Sequence, residues 1–379
     1  MQRLISSSLR EDLEKKMIIL SGPRQCGKTF LARNLIDPNV EYLNFDVPND
    51  RQLILKRNWN REQKLVIFDE IHKMKKWKQW LKGIVDDSKE TQKVLVTGSA
   101  KVNTFKKVGD SLAGRYFSYR LYPFDIKEVI SDRDNKLSTD QILNRLLDVS
   151  GFPEPFLSGK KSFYNKWQQN HLDVILKQDI IETESIRSIK QLEILMHLLP
   201  SRIGSILSYN SLREDLHTDD KSVQRWIDIL ETSYALFRIY PYSPRGASSI
   251  IKKAPKIYYF DIARIEDLPA RLENLVALSL LKEIHYRRDC LGENYDLHYV
   301  RNKKQQEIDF LITQNKKPSL LVEVKQSDSS ESSSFKAFDK YFADIPKVQL
   351  VQNLDKPFKT KNGVHILPLA KWLSEMPFK

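Results

Sequence analysis

Short apolar runs closed by polar turns set the rhythm of the first third of the chain. Met17-Ile18-Ile19-Leu20, Leu65-Val66-Ile67-Phe68, Val94-Leu95-Val96 and the stretch 117–122 are each the length of a strand. The first three are apolar without alternation, which predicts strands covered on both faces, as in a parallel sheet. Residues 29–36 follow the first run with helical spacing. From about 125 to 190 the period becomes that of helices, with Ile142, Leu143, Leu146 and Leu147 in one segment and Leu172, Ile175 and Leu176 in another. Residues 211–216 read as a short capped helix, 217–219 as a turn and 221–231 as a second helix whose Val223, Trp226, Ile227 and Leu230 share one face. Strand-like runs at 235–240 and 257–260 follow, so a winged helix is expected there. An apolar-periodic helix beginning near Arg271 and strands at 308–312, 320–325 and 348–351 complete the chain.

The turns carry the chemistry. Gly22-Pro23-Arg24-Gln25-Cys26-Gly27-Lys28-Thr29 lies between the first strand and a helix, the context of a phosphate-binding loop. Glycines at 22 and 27 let amide hydrogens surround phosphates. Lys28 is expected to reach the β and γ oxygens and the Thr29 hydroxyl to hold magnesium. Cys26 sits at a variable place in the loop with no base beside it in sequence, and reads as a spectator rather than a nucleophile. The strand 65–68 ends in Asp69-Glu70. Asp69 is expected to support the magnesium ion and Glu70 to orient or activate the attacking water, although two acids after a strand also cap helices. Ser99, or Thr97, closes the neighbouring strand and is the candidate sensor of the γ-phosphate. Arg115 precedes the fifth strand and is the candidate arginine finger, reaching a neighbouring subunit's nucleotide, with an ordinary ion pair as the alternative.

Near the other end, Ile308–Ile312 and 320–325 flank the turn-prone 314–319. A hairpin centred near Lys316 sets Asp309 opposite Glu323 and puts Lys325 on the same face as Glu323. Hard oxygen ligands at Asp309 and Glu323 suit magnesium or manganese, Lys325 is placed to position water or stabilise charge, and Glu273 on the upstream helix is placed to complete the site. The serine-rich stretch 327–334 is expected as a flexible loop beside this module.

With 379 residues, the chain has room for two or three domains, and 41% hydrophobic content argues against disorder. A formal charge of +13 suits a polyanionic partner without demanding one. Cys26 and Cys290 are the only cysteines, too few for a disulfide framework or zinc site, which suits a reducing cytoplasm. No apolar run approaches the ~20 residues of a membrane span, and the opening residues lack a signal-peptide pattern. On the helix 221–231, Lys221, Gln224 and Arg225 lie away from the apolar face, and Arg245, Lys252 and Lys253 populate the expected wing. Together they form a candidate DNA contact, against the alternative of a solvated face on a packing domain. Lys73, Lys75, Lys76, Lys78 and Lys82 offer a second track, interleaved with the apolar Trp77, Trp80 and Leu81 of an amphipathic helix.

Taken together, the phosphate loop, Asp69-Glu70-Ile71-His72-Lys73, Thr97-Gly98-Ser99, Leu112-Ala113-Gly114-Arg115, Gly151-Phe152-Pro153-Glu154 and residues 253–261 resemble a family of prokaryotic AAA+ ATPases. That family, AAA_14 with DUF4143, joins an AAA domain to a C-terminal domain of unassigned function. The resemblance covers nearly the whole chain and implies ATP binding and hydrolysis. Residues 268–352 are also similar to the PD-(D/E)XK nucleases, Glu273 matching the helix acid, Asp309 the strand acid and Glu323-Val324-Lys325 the E-x-K element. The expectation is an α/β protein: an AAA+ P-loop core at 1–130, a helical lid or connector at 131–190, a winged helix at 191–265 and a restriction-endonuclease-like domain at 266–379. It would use ATP and magnesium, assemble with copies of itself, act on DNA and possess metal-dependent cleavage as a second activity. A DNA-binding ATPase that does not cut, and a signalling or assembly switch, are the alternatives.

Overall fold

The computed structural model describes residues 1–35, 39–87, 92–98, 112–175, 186–243 and 254–378. Helix α1 (Ser6–Leu13) precedes β1 (Met17–Ser21), the phosphate-loop turn and α2 (Lys28–Arg33). Then come β2 (Val40–Asn44), α3 (Pro48–Lys56), β3 (Leu65–Asp69), α4 (Trp77–Val85), β4 (Lys93–Gly98) and β5 (Tyr116–Arg120). The five strands form one parallel sheet in the order β2-β3-β4-β1-β5. Every residue of β1 and β3 is buried, as unbroken apolar runs require. Register aligns the carboxyl ends: Ser21 pairs with Gly98 and Arg120, and Asp69 pairs with Thr97 and Asn44. The loop after β1 and the acids after β3 therefore share one edge of the sheet, where ligands of open α/β sheets collect.

The helical stretch predicted after the sheet is present as α5 (Ile126–Ile130), α6 (Thr139–Val149), α7 (Pro153–Ser158), α8 (Lys161–Val174) and α9 (Ile186–Leu198). A capping box between Ser138 and Gln141 starts α6, and its Ile142, Leu143, Leu146 and Leu147 are buried as the spacing predicted. Helices α10 (Tyr209–Leu216) and α11 (Asp220–Thr232) meet at a turn in which His217 adopts φ +46°. Asp219 caps α11 by accepting from the amides of Lys221 and Ser222, and Val223, Trp226, Ile227 and Leu230 are buried.

Strands β6 (Leu236–Pro241) and β7 (Lys256–Tyr259) form the antiparallel pair expected of a wing. They are not confined to a winged helix. β6 also pairs in parallel with β8 (Tyr295–Arg301), so the sheet crosses the boundary expected at 265. Between them runs α12 (Leu268–Leu291), 24 residues long and closed by Gly292 in the left-handed conformation. After β8 come β9 (Glu307–Gln314), β10 (Lys317–Lys325), α13 (Ser333–Phe342), β11 (Lys347–Val351), β12 (Phe358–Lys359), β13 (His365–Pro368) and α14 (Leu369–Glu375). The resulting mixed sheet has the order β12-β13-β11-β10-β9-β8-β6-β7.

The β9–β10 hairpin turns on Asn315 and Lys316, at φ +50° and +66°, the signature of a type I′ turn. Such a turn alone would pair Thr313 with Pro318 and carry Asp309 opposite Val322. A register shift between Pro318 and Leu320 adds one residue, after which Ile312 faces Leu320 and Phe310 faces Val322. Beyond the last pair, the Asp309 amide donates to Glu323 Oε2 at 3.4 Å, so the two acids adjoin across the hairpin. The one-residue bulge keeps the two acids on the same face, because a slip of one would turn them to opposite sides.

Candidate nucleotide site and the C-terminal acid pocket

Side chains at the carboxyl edge of the parallel sheet converge as the loop motif requires. Lys28 Nζ donates to the carbonyls of Gly22 (2.9 Å) and Pro23 (2.7 Å), folded back over the loop. Thr29 Oγ1 donates to Asp69 Oδ2 at 3.1 Å, joining the two expected magnesium supports. Tyr42 on β2, which no motif singled out, donates to the same oxygen at 2.7 Å and fixes the carboxylate's orientation. The Glu70 amide donates to Asp69 Oδ1 (3.1 Å) and to the Thr97 carbonyl (3.2 Å). Glu70 adopts φ +54°, an uncommon backbone for a glutamate and a form of strain concentrated at working sites. Burial raises its carboxyl above the ordinary value, with Arg24 opposing the rise and Asp69 adding to it. A carboxylate pushed toward neutrality is better matched to proton transfer than an exposed one.

The loop is held from beneath. Gly22 has φ +150°, and a Cβ there would lie 2.0 Å from the Leu121 carbonyl oxygen, so only glycine fits between the strands. Cys26 is fully buried and its Sγ contacts the Leu121 carbonyl at 3.3 Å, so it packs the loop against the end of β5. Arg3, from a segment that carried no motif, donates to the Cys26 carbonyl (2.9 Å), the Tyr122 carbonyl and Glu128 Oε1 (2.9 Å). The ring of His171 on α8 hydrogen-bonds the Arg24 backbone, and burial pulls its pKa down to about 3. The helices after the sheet thus pack directly on the phosphate loop.

Thr97 is fully buried at the same edge, and its Oγ1 has no hydrogen-bond partner among the described residues. Ser99 lies outside the described residues, as do Arg245, Lys252 and Lys253 of the wing. Arg115 sits at the amino end of β5, about 16 Å along the strand from the phosphate-loop edge at ~3.3 Å per residue. It is paired through both Nε (2.6 Å) and Nη2 (3.0 Å) with Asp86. Lys221, Gln224 and Arg225 are exposed on α11, on the side away from its buried face. Lys73 of the second basic track is paired with Asp46 at 2.7 Å.

The second pocket lies where α12, β7, β9 and β10 meet. Asp309 Oδ2 accepts from the Val324 amide (2.9 Å), and Glu323 Oε1 accepts from Lys325 Nζ (2.9 Å) and Ser332 Oγ (3.1 Å). Glu273 Oε1 accepts from Tyr258 OH (2.7 Å) and from Lys256 Nζ (3.1 Å), and Lys256 also pairs with Glu307. Lys256 is 1% exposed, and although burial opposes its charge, Glu273, Asp309 and Glu307 raise its pKa above the ordinary lysine value. Burial, then Asp309, push Glu273 up to about 7 against the pull of Lys256. Asp309 is raised by burial and by Glu323.

Glu273, Asp309 and Glu323 are brought to one region, but among the described residues no group of three acidic, histidine or cysteine side chains can hold a metal ion. One oxygen of each carboxylate already accepts protein donors: Lys256 and Tyr258 on Glu273 Oε1, Lys325 and Ser332 on Glu323 Oε1, and the Val324 amide on Asp309 Oδ2. The lysine at the head of the apolar run 257–260 was the available sign, since an ammonium entering a buried strand must find carboxylates. The serine-rich stretch is tied down as well. Gln349 Nε2 donates to the carbonyls of Asp328 (3.1 Å) and Ser330 (2.8 Å), and Ser332 caps α13.

One element connects the two regions. Glu273 lies in the second turn of α12, and farther along the same helix Lys282 donates to Glu128 Oε2 (2.6 Å) and the Pro123 carbonyl (3.0 Å). Glu283 pairs with Lys127 (2.7 Å), His285 Nδ1 shares a hydrogen bond with Tyr122 OH (2.7 Å), and Asp289 accepts from Arg120 Nε (2.9 Å). At ~1.5 Å per residue, the rod from Glu273 to Asp289 is about 24 Å long. Glu128 receives Arg3 on one oxygen and Lys282 on the other, so the phosphate loop and α12 meet at one buried carboxylate.

A family model described as AAA domain matches residues 14–130, and two described as domains of unknown function, DUF8612 and DUF4143, match 140–268 and 270–372. An uncharacterized protein of Methanocaldococcus jannaschii is 24% identical over 96% of this chain and 90% of its own. One of Haemophilus influenzae is 22% identical over 77% and 78%. Among solved structures, a Thermotoga maritima RuvB variant shares 15% identity and a TM-score of 0.32 over 64% of this chain and 88% of its own. A Pyrococcus horikoshii signal-transduction ATPase with a tetratricopeptide-repeat sensor shares 15% and 0.23 over 75% and 46%. Among the described residues, no helix is long and apolar enough to cross a membrane. The chain thus carries a stretch similar to AAA domains at 14–130 and one similar to DUF4143 at 270–372.

Proposed function

We propose that the protein binds and hydrolyses ATP at residues 22–29 and uses the nucleotide cycle to reset its C-terminal half while it engages nucleic acid. The observation that carries this is the convergence of Lys28, Thr29, Asp69 and Glu70 on one edge of a parallel sheet. Amides of the loop and Lys28 would bind the triphosphate, Lys28 leaving the carbonyls it now contacts. Thr29 and Asp69 would hold magnesium, which supplies charge neutralisation at the phosphoryl oxygens. Glu70 would orient the attacking water and take its proton. Arg3 would keep the Cys26 carbonyl, and with it the loop, in a binding-competent shape.

A homo-oligomer in which Arg115 faces a neighbour's nucleotide is part of the proposal, and so is DNA as the polyanion met by Lys221, Gln224 and Arg225. The formal charge of +13 favours such a partner. A second reading, a switch for assembly that cuts nothing, is favoured by the placement of Lys256 against Glu273. The test is retention of labelled duplex by the Glu70→Gln protein across a salt series, with and without ATP. ATP should shift the affinity about fivefold or more, the usual scale of coupled sites. No retention at low salt would discard the nucleic-acid reading and leave the assembly switch.

A further inference from the structure

The resemblance of residues 268–352 to metal-dependent nucleases leads to a divalent ion among Glu273, Asp309 and Glu323, yet the donor set found there does not suit one. We infer that Lys256 is the resident cation of this pocket, its ammonium filling the place a metal would need, so that the C-terminal half works without a divalent ion. Lys256 comes from β7, outside the stretch that carries the nuclease resemblance. Its side chain is 2% exposed, contacts Glu273 Oε1 at 3.1 Å and Glu307, and has the Tyr299 ring 5.7 Å away. Tyr258 donates to the same Glu273 oxygen at 2.7 Å. A carboxylate oxygen that already accepts an ammonium and a phenol is poorly placed to ligate a hard cation.

Across the pocket, Lys325 of β10 and Ser332 at the start of α13 both contact Glu323 Oε1, and the Val324 amide contacts Asp309 Oδ2. Two ammonium groups thus flank a cluster of Glu273, Glu307, Asp309 and Glu323. Attraction between a buried ammonium and its carboxylates holds only while each stays hydrogen-bonded, so a metal entering here would have to expel Lys256 into apolar surroundings. Removing the ammonium reverses the logic, leaving oxygen ligands with an uncompensated negative charge, the composition that hard divalent cations select.

The inference is independent of the nucleotide site, and the test uses the full-length protein without nucleotide. Manganese binding is followed by electron paramagnetic resonance in the wild type, Asp309→Asn, Glu323→Gln and Lys256→Ala, each checked for folding by circular dichroism. The wild type should show no manganese binding tighter than about 1 mM, the weak end of protein sites for hard cations, that either acid substitution removes. Lys256→Ala should gain a site at least tenfold tighter that disappears when Asp309→Asn is added. Wild-type binding below that concentration, lost in Asp309→Asn, would overturn the inference. So would a folded Lys256→Ala protein that binds no manganese. If Lys256→Ala fails to fold, the comparison of wild type with the two acid variants decides.

Discussion

Replacing Arg3 with methionine tests whether the phosphate loop depends on a residue outside the AAA match at 14–130. Methionine keeps an apolar stem near the Phe124 ring, over which the guanidinium lies at 4.6 Å, and deletes the charge. What is lost is a pair with Glu128, the two side chains 7% and 2% exposed, together with hydrogen bonds to the carbonyls of Cys26 and Tyr122. Breaking a buried pair from one side costs about 3–5 kcal/mol, because the partner stays buried without compensation. Here Lys282 still reaches Glu128 Oε2 at 2.6 Å, which places the expected loss at the lower limit, about 3 kcal/mol. Urea unfolding reads that loss as a shift in midpoint. Because Arg3 Nη1 holds the Cys26 carbonyl at 2.9 Å, fluorescent ADP should also bind about tenfold more weakly, a change of ~1.4 kcal/mol. Adding Glu128→Gln should give a combined loss smaller than the sum of the two single losses. A loss below about 1 kcal/mol with unchanged ADP affinity would refute the reasoning, since that is the range of an exposed pair.

Three further outcomes follow from the same geometry. Glu70→Gln should retain ATP binding while turnover falls about 10²–10⁴-fold, the usual range for a lost general base, and phosphate-release kinetics at saturating ATP would expose a smaller effect. Lys316→Gly should stabilise the chain by up to about 1 kcal/mol in chemical denaturation, because φ +66° strains a lysine and not a glycine. Glu128 is held below the ordinary carboxyl value: burial raises it, but Arg3 and Lys282 outweigh burial. Its contribution is present above the unfolded value of 4.5 and disappears as pH falls through the lower folded value. Glu128→Gln should therefore flatten the acid limb of a stability profile taken below pH 4.5, and an unchanged limb would count against the pair.

The sheet and its ligand edge were legible because β1, β3 and β4 carry unbroken apolar runs that suit burial on both faces, and the loop and acids then fall at their ends. The pairing of Asp309 with Glu323 was legible from hairpin symmetry, although the bulge beyond Pro318 that secures it leaves no mark in composition. Other features depend on contacts between distant segments. Arg3 and Glu128 are 125 residues apart and look like ordinary surface charges in the sequence. Tyr42 reads only as a strand residue until β2 is set beside β3. Lys256 changes the acid pocket through a neighbour relation across the domain boundary expected at 265, where the amphipathic pattern of α10 and α11 suggested a separate module. Helical periodicity identified α12 near its start, but nothing in that pattern tells that one end grips the parallel sheet and the other enters the acid pocket.

The most direct test of the account is calorimetric titration of ATP with magnesium into the wild-type protein and the Lys28→Ala variant, followed by phosphate release from the same samples. Saturable binding and turnover by the wild type, both lost in Lys28→Ala while the fold is retained, is the predicted result; equal binding and turnover in the two proteins would contradict it.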